Sequence, residues 1–452
     1  MDLLRIRDLP FLSRRNYLNE FRHIVPWSVL AGLVEGNFGG VVVSGVFNGG
    51  DMLIAIAVAT PLGAFLFSLV WGMLCVGRPK VRLLTLFSLG AVLAAGTVAV
   101  IPRTSTGAVW FVAQMAAAQV LFAGVVTIRP AIWKSNYPTH ARGRITARLQ
   151  SARVIVSTVA TLLAAHLFDR DPQAYGYVYP IAALAGLVAI HFLTKIHVRG
   201  ERRELGRAGR SWQTGDLGEG MIEPFSLTAL LSPGRVLAEM VDVLRSDRRF
   251  ARYLVAQFVL GAANMLPRGV IVVLVTRELQ MWDSRVFWVS VVLADVLPKM
   301  MLLGSLRLWG RLFDRVGVVR FRVIQSCVWS SALVFGLGGT LCVAHADALG
   351  GSSVPLAVIL FAGYALTHGI GRGGGMLAWH IGHLHFASPQ RAEVYMGLHV
   401  SLTGIRGAIM PLLGVWIWGW IGGGVWLVSL FLMLTALVMF TFMARREIRE
   451  GY

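Results

Sequence analysis

Stretches of about twenty mostly apolar residues recur along this chain, and each is long enough to cross a hydrocarbon core as a helix. They fall near residues 24–46, 52–76, 81–101, 107–131, 147–168, 177–194, 251–275, 285–305, 323–344, 354–378, 392–415 and 420–443. The runs are apolar on all faces, whereas membrane barrel strands alternate apolar and polar residues. In lipid every backbone donor and acceptor needs an internal partner, which leaves helices. Composition points the same way. Of the 452 residues, 56% are hydrophobic and 14% charged, against about 25% charged in an ordinary soluble domain. The expected fold class is an all-α membrane protein with about twelve transmembrane helices.

The net charge of +19 would suggest nucleic acid in a soluble protein. Its distribution argues otherwise. With both termini on one side, thirty Lys and Arg residues fall in the segments on that side, and four (Arg103, Arg170, Arg277 and Arg285) on the other. The positive-inside rule predicts this asymmetry and assigns the richer side to the cytoplasm. The charge is therefore read as topological, and no nucleic-acid partner is expected. Met1 to Arg22 is polar and basic with no early apolar run, so no cleavable signal peptide is expected. The expected location is the plasma membrane (a bacterial inner membrane), multi-pass, with cytoplasmic termini.

A long polar stretch divides the spans six and six. The expected organisation is a six-helix bundle over 1–194, a cytoplasmic linker over 195–249 and a second six-helix bundle over 250–452, the two bundles being pseudo-symmetric. Gly200 to Glu223 is rich in charge and glycine, as flexible linkers are. Val236, Leu237, Met240, Val241 and Leu244 share one helical face, which predicts an amphipathic surface helix. The halves are weakly alike. Arg14-Arg15 precedes the first span and Arg248-Arg249 the seventh, while Gly32 leads Glu35 by three residues as Gly261 leads Asn264.

The loop after the eighth span reads Gly310-Arg311-Leu312-Phe313-Asp314-Arg315-Val316-Gly317, with Arg320 and Arg322 beyond it. It resembles the Gly-x-x-x-Asp-x-x-Gly loop signature of the major facilitator superfamily, which normally lies between spans two and three and is echoed between eight and nine. The resemblance implies two rocking six-helix bundles around a central site, and a conformational latch at Gly310, Asp314, Arg315 and Gly317. In the first half, Gly77-Arg78-Pro79-Lys80 matches the end of the signature, but Leu74 stands where its Asp belongs. A latch there would rest on Gly77 and Arg78 alone.

Ionisable groups at membrane depth are costly and tend to face a cavity or a partner. They are the candidate substrate or proton pathway. Glu35 lies within the first span and reads either as a proton carrier or as a carboxyl paired with an Arg. Asn37, two residues on, points to another face of a continuous helix. Asp295 and Lys299 stand at i, i+4 and can neutralise each other, as a structural pair or as one broken during transport. Asn264 and Arg268 share the seventh span, and Arg153 lies in the inner third of the fifth. Arg372 sits in the glycine-rich tenth span, with His399, Thr403 and Arg406 in the eleventh. Arginines outnumber the acids, which an anionic substrate would explain, because guanidinium binds carboxylate and phosphate bidentately. Several reaching the inner interface or pairing with carbonyls would also explain it, and that reading is preferred.

His380, His383 and His385 cluster where the tenth span ends; their spacing suits a metal or a solvated helix end, and the second is preferred. Gly369-Ile370-Gly371-Arg372-Gly373-Gly374 fits a dinucleotide fingerprint formally, but lies within a span and reads as a close-packed helix. Gly32, Gly36 and Gly40 are expected on one helix face for the same use. None of the lysines follows a Gly-x-x-x-x-Gly, so no ATP-driven engine is expected.

The expected function is secondary transport of a small solute by alternating access, coupled to a proton or substrate gradient. The alternative is a receptor or scaffold with a transporter fold. No enzyme activity, cofactor or metal is expected. The expected partners are membrane lipid, a small-molecule substrate for which an anion is one candidate, and protons, with the chain a monomer.

Overall fold

The computed structural model describes residues 9–75, 78–203, 205–206, 241–242, 244–279, 286–386 and 392–449. Every regular element among them is helical. Gly77 and most of the amphipathic helix expected near 236–244 lie outside the described residues.

Nine helices among the described residues are long and apolar enough to cross a membrane, and ten if a bent pair forms one span. The remaining expected spans fall on helices that are broken or merged. The second span runs as three pieces, Asp51–Gly63, a 3-10 turn Ala64–Phe67, and Ser68–Cys75. Pro61 lies inside its first piece, where it removes one backbone donor. The eighth and ninth spans share one apolar helical run, Phe287–Ala344. The signature loop between them is therefore helical up to and beyond Gly317, which alone turns the chain at φ 72° and ψ 167°. That backbone region is open essentially to glycine only.

The ends of the helices follow their sequences. Thr104 caps Ser105–Asn136 by accepting from the Gly107 N–H at 3.0 Å. Asp247 caps Arg248–Met265 by accepting from Arg249 and Phe250 at 3.1 and 2.8 Å. Such caps satisfy donors that the helix leaves open.

Within the first half, Arg14–Val34 packs on Thr139–Arg170 and Tyr175–Leu193. Within the second, Leu297–Ala344 packs along Ser353–Ile381 and Gly424–Arg449. The glycine-rich tenth span is the reason that pair lies so close. Gly369 meets the Pro298 backbone, and Gly373 and Gly374 meet Ser305 and Trp309. Ser305 and Trp309 then donate to the Ile370 carbonyl, Trp309 at 2.7 Å. The glycines thus serve helix contact, as close approach requires.

Among the described residues, two seams join the halves. Asp51–Gly63 lies on Ala392–Ile421, with Gly63 against Ala408 and Gly407 against Leu62. Val286–Val291 lies on Thr139–Arg170. The outer surface exposes large apolar side chains, among them Leu93, Leu163, Leu184, Ile359, Phe431 and Phe442. Apolar exposure on that scale is what a lipid-facing surface presents.

Candidate functional site

The first span breaks at its centre. Arg14–Val34 ends at Glu35, whose backbone is extended (φ −90°, ψ 165°). Gly36 takes φ 78°, and a helix resumes at Phe38 with a bend of 48°. A broken helix leaves its last carbonyls without partners, which lipid does not forgive. Three other helices supply donors. Thr161 Oγ1 donates to Gly32 O at 3.2 Å, Tyr179 Oη to Leu33 O at 3.4 Å, and Gln119 Nε2 to Val34 O.

The break corrects two sequence expectations. Asn37 is not part of a continuous helix with Glu35, so helical phase does not separate them. Gly32, Gly36 and Gly40 do not share a face. Gly32 lies against Ser157, Gly36 against Asp295, and Gly40 against Val58 and Val272.

What the break releases is polar and meets the second half. Glu35 pairs with Arg153, each about a quarter exposed. Asn37 Nδ2 donates to Ala294 O at 2.9 Å, and its Oδ1 accepts from Arg268 Nη2 at 3.2 Å. Asp295, 2% exposed, pairs with Lys299. It sits in a π-helical turn, Val292–Val296, an irregularity common at functional sites. The Asp295 carboxylate occupies the space that a side chain at position 36 would need.

A pocket between the halves is lined by Asn37, Arg268, Pro298, Tyr364, His368 and Arg372, with Ile271, Leu293 and Ala294. Arg268 and Arg372 repel each other electrostatically, and both are attracted to Asp295. Neither has a carboxylate within 4 Å among the described residues. Tyr364 and His368 stack at 5.2 Å between ring centres. Sequence reasoning missed both, although Tyr364, His368 and Arg372 recur every four residues and so share one helix face.

Other candidates lie elsewhere. Arg406 is 3% exposed and lies across Gly261, donating to Gln257 O and to Thr403 Oγ1. His399 is 3% exposed and packs its ring on Trp379 at 5.9 Å. Neither lines the pocket. Asn264 Oδ1 is buried without a hydrogen-bond partner among the described residues. Asp314 and Arg315 are exposed beside Gly317, and Gly310 lies in the same helix. Arg78 lies in the turn before Lys80–Gly96. The three histidines diverge. His380 Nδ1 contacts Met376 O at 2.7 Å, His385 faces Glu447 at 3.6 Å, and His383 is buried. Burial holds His383 below the usual histidine range, since a dry site disfavours the charged ring.

At the end of the molecule away from the termini, the halves are tied together. Arg277, in a second π-helical turn, pairs with Asp51 at 2.8 Å and donates to Gly49 O at 2.6 Å. The Asp169 carboxylate accepts from the N–H groups of Phe287 and Trp288 at 2.8 and 3.0 Å. Phe168 meets Phe287 edge-on at 5.6 Å.

No protein-family model matches the sequence, and no curated protein matches it. Solved structures do match the fold. A point variant of the nucleoside transporter NupG superposes with a TM-score of 0.66 at 13% identity, over 95% of this chain and 99% of that one. A variant of the peptide transporter POT gives 0.65 at 13% identity, over 97% and 98%. The xylose transporter XylE from E. coli, in an inward-open conformation, gives 0.58 at 14% identity, over 95% of each chain. With its helix order, its two seams and this full-length similarity, the chain has the fold of the major facilitator transporters.

Proposed function

We propose that the protein is a secondary transporter of a small anionic solute, bound between its two halves at Arg268 and Arg372. The observation that carries this reading is the charge at the break. Among the described residues, Glu35 and Asp295 are the only carboxylates that Arg153, Arg268, Lys299 and Arg372 meet there. Such a surplus in a part-buried site favours an incoming carboxylate or phosphate. Broken helices facing a site between repeats are also what transporters use to bind solutes at mid-membrane.

Coupling follows from competition. An anion arriving at Arg268 and Arg372 weakens the hold of these cations on Asp295. Glu35 and Asp295 are the carboxylates at the break among the described residues, and they are the groups we assign to a coupled proton. The ties at the end away from the termini support an inward-facing state, if the positive-inside rule orients the chain with cytoplasmic termini. The halves correspond to 1–194 and 250–452.

The test is uptake of labelled solutes into proteoliposomes, with the library grouped by charge. Anions should be taken up, and Arg372→Gln should lower that uptake at least about tenfold, the effect of one charge-assisted contact of ~1.5–3 kcal/mol. Uptake confined to cations or neutral solutes would overturn the anionic reading. No flux of any solute from folded protein would favour a receptor or scaffold.

A further inference from the structure

A second group of cations lies inside the second half, away from the pocket. Arg322 is 1% exposed and Arg406 is 3% exposed. Both lean on one turn of Arg248–Met265. Arg322 Nε contacts Tyr253 Oη at 3.4 Å, and Arg406 Nη1 donates to Gln257 O at 2.5 Å. Arg322 Nη1 also donates to Gln325 Oε1 at 2.6 Å. Each guanidinium feels the repulsion of the other, and His399 feels both.

All the partners of these two side chains are neutral. No carboxylate lies within 4 Å of either among the described residues. Polar atoms also remain open. Arg322 Nη2, Arg406 Nε, Gln257 Oε1, His399 Nε2 and His383 Nδ1 are buried and have no hydrogen-bond partner there. The first half handles the same problem differently. Its buried Arg129 has Glu20 at 4.0 Å and His23 against its guanidinium.

Water can satisfy open donors but does not neutralise two buried positive charges, and an unpaired charge away from water is expensive. We infer that Arg322 and Arg406 form a buried site for a small free oxyanion, of the sulfate or inorganic phosphate class. Open guanidinium donors beside a second guanidinium suit a ligand with several acceptor oxygens. Burial at 1% and 3% favours a free ion over a headgroup still attached to lipid. The site is independent of the transport reading, since it does not line the pocket.

The test uses the full-length protein in detergent, with the pocket disabled by Arg268→Gln and Arg372→Gln. Sulfate replaces chloride at constant ionic strength while the melting temperature is followed. A saturable rise is expected in this double variant, because a ligand of the folded state stabilises it by mass action. Adding Arg406→Gln should abolish the sulfate response. It should also raise the melting temperature in sulfate-free buffer, because it removes the repulsion on Arg322. A purely structural arginine would give the opposite sign. Equilibrium dialysis of radiolabelled sulfate against the double variant needs no change in the cluster, and should give one phosphate-displaceable ion per chain. No saturable shift and no bound sulfate would overturn the inference, as would a response that persists after Arg406→Gln. Loss of sulfate binding by the Arg268→Gln and Arg372→Gln changes alone would place the anion in the pocket instead.

Discussion

Asp295 and Lys299 look like equal partners, but their surroundings make them unequal. Asp295 is 2% exposed and Lys299 16%. Arg268 and Arg372 are also drawn to Asp295. Changing Asp295→Asn leaves these three cations together with no carboxylate of their own. Changing Lys299→Met leaves Asp295 still balanced by two arginines. Removing one partner of a buried pair costs about 3–5 kcal/mol. Asp295→Asn should therefore cost about 3–5 kcal/mol, and Lys299→Met about 1 kcal/mol or less. For 452 residues, per-residue unfolding entropies convert 1 kcal/mol into about 1 °C. The assay is the melting temperature of the purified protein in one detergent, with folding checked by gel filtration. Asp295→Asn should melt about 3–5 °C lower, and the double change to Asn and Met should recover part of that loss. Equal losses for the two single changes, or a double variant less stable than Asp295→Asn, would refute the reasoning.

Two further outcomes follow from the geometry. Gly317→Ala places a side chain on a glycine-only backbone (φ 72°, ψ 167°), and should cost about 1–3 kcal/mol, read as a lower melting temperature with packing elsewhere intact. Arg277→Gln removes the Asp51 pair and the Gly49 bond. The partners are more than a third exposed, so stability should change by less than about 1 kcal/mol. Distances between spin labels at the end away from the termini should nonetheless widen, and an unchanged distribution would mean that Arg277 does not hold the halves together.

Some of this was open to reading from the residues alone. Membrane helices announce themselves because apolar length is a property of the chain in one dimension. Close packing along Gly369–Gly374 was readable for a similar reason, since lipid offers glycine little other use in a helix. Glu35, Asp295, Arg268 and Arg372 could also be singled out, as ionisable groups inside apolar runs. The Tyr364–His368–Arg372 face was legible too, by its spacing, but was passed over. The break at Gly36 was not, because glycine is compatible with a continuous membrane helix, and only Thr161, Tyr179 and Gln119 from distant helices make the break affordable.

Depth did not say which way a side chain faces. Arg406 and Arg372 are alike in sequence, yet Arg372 lines the pocket while Arg406 turns into its own half across Gly261. The amino-acid sequence by itself determined the solvent of this protein, its run of long apolar helices and the asymmetry of its charge, because each depends on composition counted along the chain. Tertiary structure decided which charges meet, because helix rotation is set by contacts between residues hundreds of positions apart. Asn37 reaching Arg268, and Gly36 making room for Asp295, exist only once the two halves have packed.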